Sequence, residues 1–303
     1  MIKSLFYNKK IAASLSVTSN LCLIIIKLIT GFVSGSVSII SEAIHSASDF
    51  LASVITLFAV HKAEKPADKD HQFGHGKYED VAGFLEGCLI ILAALYIIYE
   101  AGKKLTGQVE PIDNSTLGII VMFVSVLTNI AVSAYLHIVA KNTDSIALYS
   151  DSEHLRTDVL SSLTVCIGLV IIEYTGFHFI DSLIAVIVAM IILFTGAKIC
   201  KTSMNNILDG SLPQSDLDTI KNILVSHTEK GFAGIKEIKT RKAGKDKDII
   251  ISIFVDGNMT VRNAHELCDL LESQIENALG NTRITIHTEP ADCKCVSCKK
   301  ANI

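Results

Sequence analysis

Residues 37–60 read VSIISEAIHSASDFLASVITLFAV, and residues 147–172 read ALYSDSEHLRTDVLSSLTVCIGLVII. A helix needs about 20 mainly apolar residues to cross a hydrocarbon core, and both stretches meet that length. Both also carry ionisable groups at that depth: Glu42, His45 and Asp49 in the first, Glu153, His154 and Asp158 in the second. Such groups are costly inside a membrane and mark function by default. In each stretch a His precedes an Asp by four residues, which sets both side chains on one helix face about 6 Å apart along the axis. Two such helices facing each other offer two imidazole nitrogens and two carboxylate oxygens, a tetrahedral set suited to Zn²⁺. A lone His-x-x-x-Asp is more often a satisfied helical hydrogen bond, and His265–Asp269 in the polar C-terminal part fits that description. A structural ion pair needs only one His and one Asp. Repetition of the pair inside two apolar stretches therefore favours metal.

Outward from these two stretches, four more qualify as spans, so that six run near residues 11–32, 37–60, 81–101, 116–139, 147–172 and 180–199. The first has an apolar run too long for a secretory signal and lacks a small-residue cleavage site, so it is expected to stay. Overall 50% of residues are hydrophobic and 19% charged, against about 25% charged in a soluble chain. The net charge of −4 excludes a generally basic nucleic-acid binder. Connector charge alternates. Lys3, Lys9 and Lys10 precede the first span, Lys62, Lys65, Lys69 and Lys77 fill the second connector, Lys141 follows the fourth span, and Lys198 and Lys201 close the sixth. The opposite connectors hold only Lys103 and Lys104, or no Lys or Arg. The positive-inside bias places both termini in the cytoplasm, in a multi-pass protein of the cytoplasmic membrane.

After about Leu208 the pattern changes. Helical periodicity over residues 217–226 and 264–279, and strand patterns over 235–241, 248–256 and 283–287, give the order αββαβ. The division expected is residues 1–208 as a six-helix transport domain, 209–290 as an α+β cytoplasmic domain, and 291–303 as a Cys-containing tail. Five of the eight cysteines stand singly in sequence (Cys22, Cys88, Cys166, Cys200 and Cys268), as small core groups and reduced thiols of a cytoplasmic face. Cys293, Cys295 and Cys298 lie within six residues; they read equally as ligands wrapping one soft ion or as a solvated cluster. Lys27, mid-span, either snorkels or pairs with an intramembrane acid such as Glu86.

The connector after the second span reads KPADKDHQFGHGK over residues 65–77. Asp68, His71 and His75 can form a second, partly solvated metal site, with Gly74 and Gly76 letting the loop fold back; an ordinary polar loop is the alternative. Twin His/Asp pairs, this connector and a terminal αββαβ domain together resemble the cation diffusion facilitator family, in its bacterial zinc/iron efflux type, over residues 10–290. The resemblance implies a homodimeric divalent-metal/proton antiporter with six spans and a ferredoxin-like cytoplasmic domain that holds the dimer and senses metal. It implies His45, Asp49, His154 and Asp158 as the transport site and Asp68, His71 and His75 as the connector site. It also implies a charge pair of Lys77 with Asp209 that ties the membrane helices together near the dimer axis. His265, His287 and Glu289 stand where ligands of a cytoplasmic zinc site are expected, but Lys236 and Phe254 replace two others. His at position 45 is typical of the family's zinc transporters, whereas manganese-type members usually carry Asn or Asp there.

The function expected is thus export of a divalent cation, foremost Zn²⁺, from the cytoplasm in exchange for protons, with Mn²⁺, Fe²⁺, Cd²⁺ or Co²⁺ as alternative cargo. An intramembrane metalloprotease would need a zinc-binding His pair with a nearby Glu, as in His-Glu-x-x-His, and no such run occurs. The chain therefore does not read as an enzyme. A membrane metal sensor that binds without transporting is the remaining reading.

Overall fold

A computed structural model describes residues 6–34, 37–105, 116–175, 178–227 and 231–291; within its helices the side chains of Glu42, His45 and Cys166 are not among those described. The cysteines of the tail, Cys293, Cys295 and Cys298, lie outside the described residues. The chain divides into two compact units after Met204.

The first unit is built from long helices: α1 (Lys9–Ser34), α2 (Val37–Ala63), α3 (Lys77–Leu105), α4 (Thr116–Thr143), α5 (Ile146–Thr175) and α6 (His178–Ile207). Among the described residues, four of them, α1, α3, α4 and α6, are long and apolar enough to cross a membrane. The other two, α2 and α5, are also of spanning length, at 27 and 30 residues, and carry the ionisable groups singled out above. Apolar runs locate the helices but not their ends. Expected to start at residue 81, α3 begins at Lys77, because Glu79 and Asp80 suit the positive end of the helix dipole and are buried there. Similarly, α6 continues from the expected end at 199 to Ile207, past the hydrophobic run.

Small residues set the packing. Ala12 and Ala13 of α1, Ala59 and Val60 of α2, Leu136 and Val139 of α4, and Ala147, Leu148 and Leu155 of α5 form one buried cluster. Ile90 and Ala94 of α3 form another with Ile192 and Ile199 of α6. The opposite pattern holds outside: Phe32, Phe123 and Phe194 are 75%, 64% and 72% exposed, as expected for side chains that meet lipid rather than water.

The second unit follows the order αββαβ: α7 (Gln214–Val225), β1 (Phe232–Ala243), β2 (Asp246–Val255), α8 (Val261–Leu279) and β3 (Thr282–Pro290). In the sheet, β2 is central, antiparallel to β1 and parallel to β3. A parallel neighbour requires a crossover, and α8 supplies it. Along β2 every second residue from Ile249 to Val255 is buried, against Ile220 and Leu224 of α7 and Leu267, Leu271 and Ile275 of α8. Thr260 caps α8 by accepting from the Asn263 N–H at 3.2 Å, and Gly280, at φ 59°, ends it. Pairing along β1 extends over residues 232–243, beyond the expected 235–241, because two register shifts let the strand continue towards Phe232.

A core of its own predicts that a fragment of residues 205–291 unfolds cooperatively in denaturant. Ile251→Ala should lower its stability by about 2–5 kcal/mol through the lost burial and the residual cavity. A denaturant titration of both fragments measures this, and a gradual, non-cooperative transition would contradict it.

Candidate metal-transport site

The helical spacing read from sequence becomes three-dimensional between α2 and α5. Asp49 on α2 meets His154 and Asp158 on α5, with one ligand atom from each lying within 4.8 Å of the others. His154 Nε2 stands 3.3 Å from Asp49 Oδ1. Asp49 and His154 are buried and Asp158 is half-buried. His154 Nδ1 has no hydrogen-bond partner among the described residues. His45 lies one turn before Asp49 on α2, so its backbone is placed on the same face.

Neighbouring helices fix the backbones that carry these ligands. Asn20 of α1 donates to Ser53 Oγ at 3.2 Å and to the Asp49 carbonyl at 3.5 Å. Ser133 of α4 donates to the Ser152 carbonyl of α5 at 2.9 Å. Lys27, left open above, donates to Ser46 Oγ at 2.7 Å, and the Thr56 hydroxyl donates to Glu86. Glu86 and Asp151 are both fully buried and lie within electrostatic reach of each other, so the triad has acidic neighbours. Two carboxylates and an imidazole at such mutual distances match a divalent ion of borderline softness.

A second polar cluster was not legible in the sequence. Lys9, counted above only as a topogenic charge, is buried and donates to Glu79 Oε1 at 2.7 Å, while Ser145 donates to the other Glu79 oxygen. These contacts clamp the beginnings of α1, α3 and α5 to one another. Its only sequence trace is an acidic residue in the first turn of an apolar helix.

In the connector, Asp68, His71 and His75 also bring their ligand atoms within 4.8 Å. Asp68 Oδ1 accepts from the Asp70 and His71 N–H groups at 3.0 and 2.7 Å, and Oδ2 lies 3.4 Å from His75 Nε2. Gly74, at φ 82°, turns the loop back so that the two imidazole rings lie 4.4 Å apart. His75 is buried; Asp68 and His71 are exposed to solvent. The backbone N–H of His71 holds the Asp68 carboxyl below its ordinary value of 3.8.

The remaining candidates are placed differently. His287 Nε2 lies 3.6 Å from Glu289 Oε1, but the same oxygen accepts from Lys236 at 2.6 Å. His265 faces Asp269, one turn along α8, at 3.6 Å. Among the described residues these three are not one of the groups that gather three metal-binding atoms. An open cavity of about 480 Å³ between α8 and β3 is lined by His265, Cys268, Asp269, Glu272 and Glu289. Burial raises the Glu272 carboxyl and the Cys268 thiol above their ordinary values, each helped by nearby acids. Asp209 accepts from Arg241 at 3.3 Å.

Comparison with known proteins identifies the family. Residues 13–208 match the cation efflux transmembrane domain, and residues 212–291 match the cytoplasmic domain of cation efflux proteins. The chain belongs to the cation efflux, or cation diffusion facilitator, family. An uncharacterised transporter of Synechocystis sp. is 33% identical over 92% of this chain and 90% of its own. The cation-efflux pump FieF of Shewanella oneidensis is 31% identical over 93% and 94%. A solved structure of CzrB covers 26% of this chain and 98% of its own, at 31% identity and a TM-score of 0.26. This cation efflux transporter is therefore a multi-pass membrane protein with a helical transport domain and a small C-terminal α/β unit, in a family of transporters rather than enzymes.

In this transporter Asp68 is the shared acceptor of the connector loop. Asp68→Asn should weaken metal binding there by about 10–100-fold. Calorimetric titration in nanodiscs, with Asp158→Ala as background to silence the membrane triad, reads the change; an unchanged affinity would reduce the connector to an ordinary polar loop.

Proposed function

We propose that this chain exports Zn²⁺ from the cytoplasm in exchange for protons. The observation that carries this reading is the convergence of Asp49, His154 and Asp158 inside apolar helices, with His45 one helical turn from Asp49. The helix lengths support six membrane spans, and the connector charges support cytoplasmic termini in the cytoplasmic membrane. The αββαβ unit is a ferredoxin-like domain through which two copies pair, a reading supported by its match to the family's cytoplasmic domain.

Mechanism follows from ligand chemistry. Zn²⁺ binds the carboxylates of Asp49 and Asp158 and the neutral imidazoles of His45 and His154. Metal and protons compete for the same lone pairs, so loading the ion releases protons and protonation from the far side expels it. Rocking of helices about this fixed site alternates its access. The connector triad of Asp68, His71 and His75 binds a second ion at the membrane surface. His265, His287 and Glu289 offer weaker ligation, since Lys236 already holds Glu289. Cys293, Cys295 and Cys298 add a soft-metal site in the tail.

Asp49→Ala or Asp158→Ala removes an anion that balances the divalent charge, so metal-driven proton flux in proteoliposomes should fall by about tenfold or more. His45→Asp replaces a borderline ligand by a hard one and should keep flux while shifting preference from Zn²⁺ towards Mn²⁺. Wild-type zinc flux from folded, inserted Asp49→Ala and Asp158→Ala proteins would move the metal path elsewhere. Zinc binding without flux in the wild type would favour a sensor.

A further inference from the structure

Cys88 and Cys200 are 112 residues apart in sequence, yet their Sγ atoms lie 3.8 Å apart where α3 crosses α6. Glycine makes this approach possible. A Cβ added at Gly87 would stand 2.7 Å from Cys200 Sγ and 3.1 Å from the Cys200 backbone nitrogen. A Cβ at Gly196 would stand 3.0 Å from the Gly87 carbonyl oxygen. The helix backbones are therefore in near contact at Gly87 and Gly196, with the side chains of Ile90, Ile91 and Ile199 packed around the crossing. The Cys200 thiol points along α3 towards the Phe84 carbonyl, at 3.7 Å. Both cysteines are half-buried, while Cys22 and Cys268 stand apart on α1 and α8.

A disulfide needs Cα atoms about 4.4–6.8 Å apart and sulphurs that close to about 2.05 Å. Backbones this close suit that range, and a change of side-chain torsion supplies the remaining approach of the sulphurs. Neither thiol is part of the metal triad. A disulfide is also neutral, so forming it in an apolar crossing leaves no charge behind.

We propose that Cys88 and Cys200 form a thiol-oxidation site, in which a hydroperoxide links α3 to α6 through a reversible intramolecular disulfide. Hydrogen peroxide oxidises one thiol to a sulfenic acid and leaves as water. The second sulphur then attacks that sulfenic sulphur, the S–S bond forms, and the hydroxyl departs with the second thiol's proton as another water. The balance is two thiols and one peroxide to one disulfide and two waters. Two glutathione-class thiols reverse it. In a reducing cytoplasm the pair rests reduced and links only under oxidant. This inference does not depend on which ion the protein carries.

The test uses the full chain in nanodiscs with Cys22, Cys166, Cys268, Cys293, Cys295 and Cys298 replaced by Ser. Hydrogen peroxide is added, remaining thiols are blocked with N-ethylmaleimide, and peptides are mapped by mass spectrometry. The expected result is a Cys88–Cys200 peptide in most molecules, monomeric on a non-reducing denaturing gel, lost with dithiothreitol and absent in Cys88→Ser. Gly87→Ala should lower its yield several-fold by pushing Cys200 away. The native eight-cysteine chain, mapped in the same way, serves if the substituted chain fails to fold. Two maleimide-labelled thiols after peroxide treatment of folded protein, or a link running between protomers, would overturn the proposal.

Discussion

A carboxylate or imidazolium at the depth of a bilayer must be answered by another charge, a proton or an ion, because lipid offers no water to screen it. In this chain Asp49, His154 and Asp158 impose that constraint, and much of the helical unit is arranged around it. Asn20 of α1 and Ser133 of α4 hold the backbones of α2 and α5. Nearby, Lys27 donates to Ser46 and Thr56 donates to Glu86. Alanines at the helix contacts bring the ligand-bearing helices close enough for three side chains to reach one point. On the proposed reading, a single divalent cation answers the negative charge of the two aspartates, and protons answer it when the cation leaves. Exchange of one for the other is the chemistry that such an arrangement favours.

Legibility in the sequence followed the range of the interactions. Apolar runs revealed the helices because span length is set by the bilayer and not by tertiary contacts. The His/Asp pairs revealed the triad because a four-residue spacing on a helix fixes a shared face whatever the surroundings. The α/β unit was legible for a similar reason: alternation along residues 249–255 matches the pleat of a strand. The connector loop carried its own turn chemistry in Gly74 and its own acceptor in Asp68.

Interactions between distant residues were not legible. Lys9 and Glu79 are 70 residues apart, and nothing local to either distinguishes a buried pair from two surface charges. Cys88 and Cys200 looked like isolated small side chains until the glycines at 87 and 196 were seen to bring their helices together. Helix ends were misjudged at α3 and α6 because polar residues there are satisfied by other helices or by solvent, which hydropathy does not record. At the α/β unit His265, His287 and Glu289 were legible as candidates, but they do not gather into one group among the described residues, and Lys236 takes an oxygen of Glu289 that a metal would need.

The central claim is that a zinc ion sits between α2 and α5 on nitrogen and oxygen ligands. Zinc K-edge X-ray absorption tests it most directly, on full-length protein in nanodiscs whose connector, α/β and tail ligands are removed: Asp68, His71, His75, His265 and His287 by Ala, Cys293, Cys295 and Cys298 by Ser. The account predicts one zinc per chain with four N/O neighbours at about 2.0–2.2 Å and the scattering signature of two imidazoles. A sulphur shell at about 2.3 Å, or no zinc retained after those replacements, would contradict it.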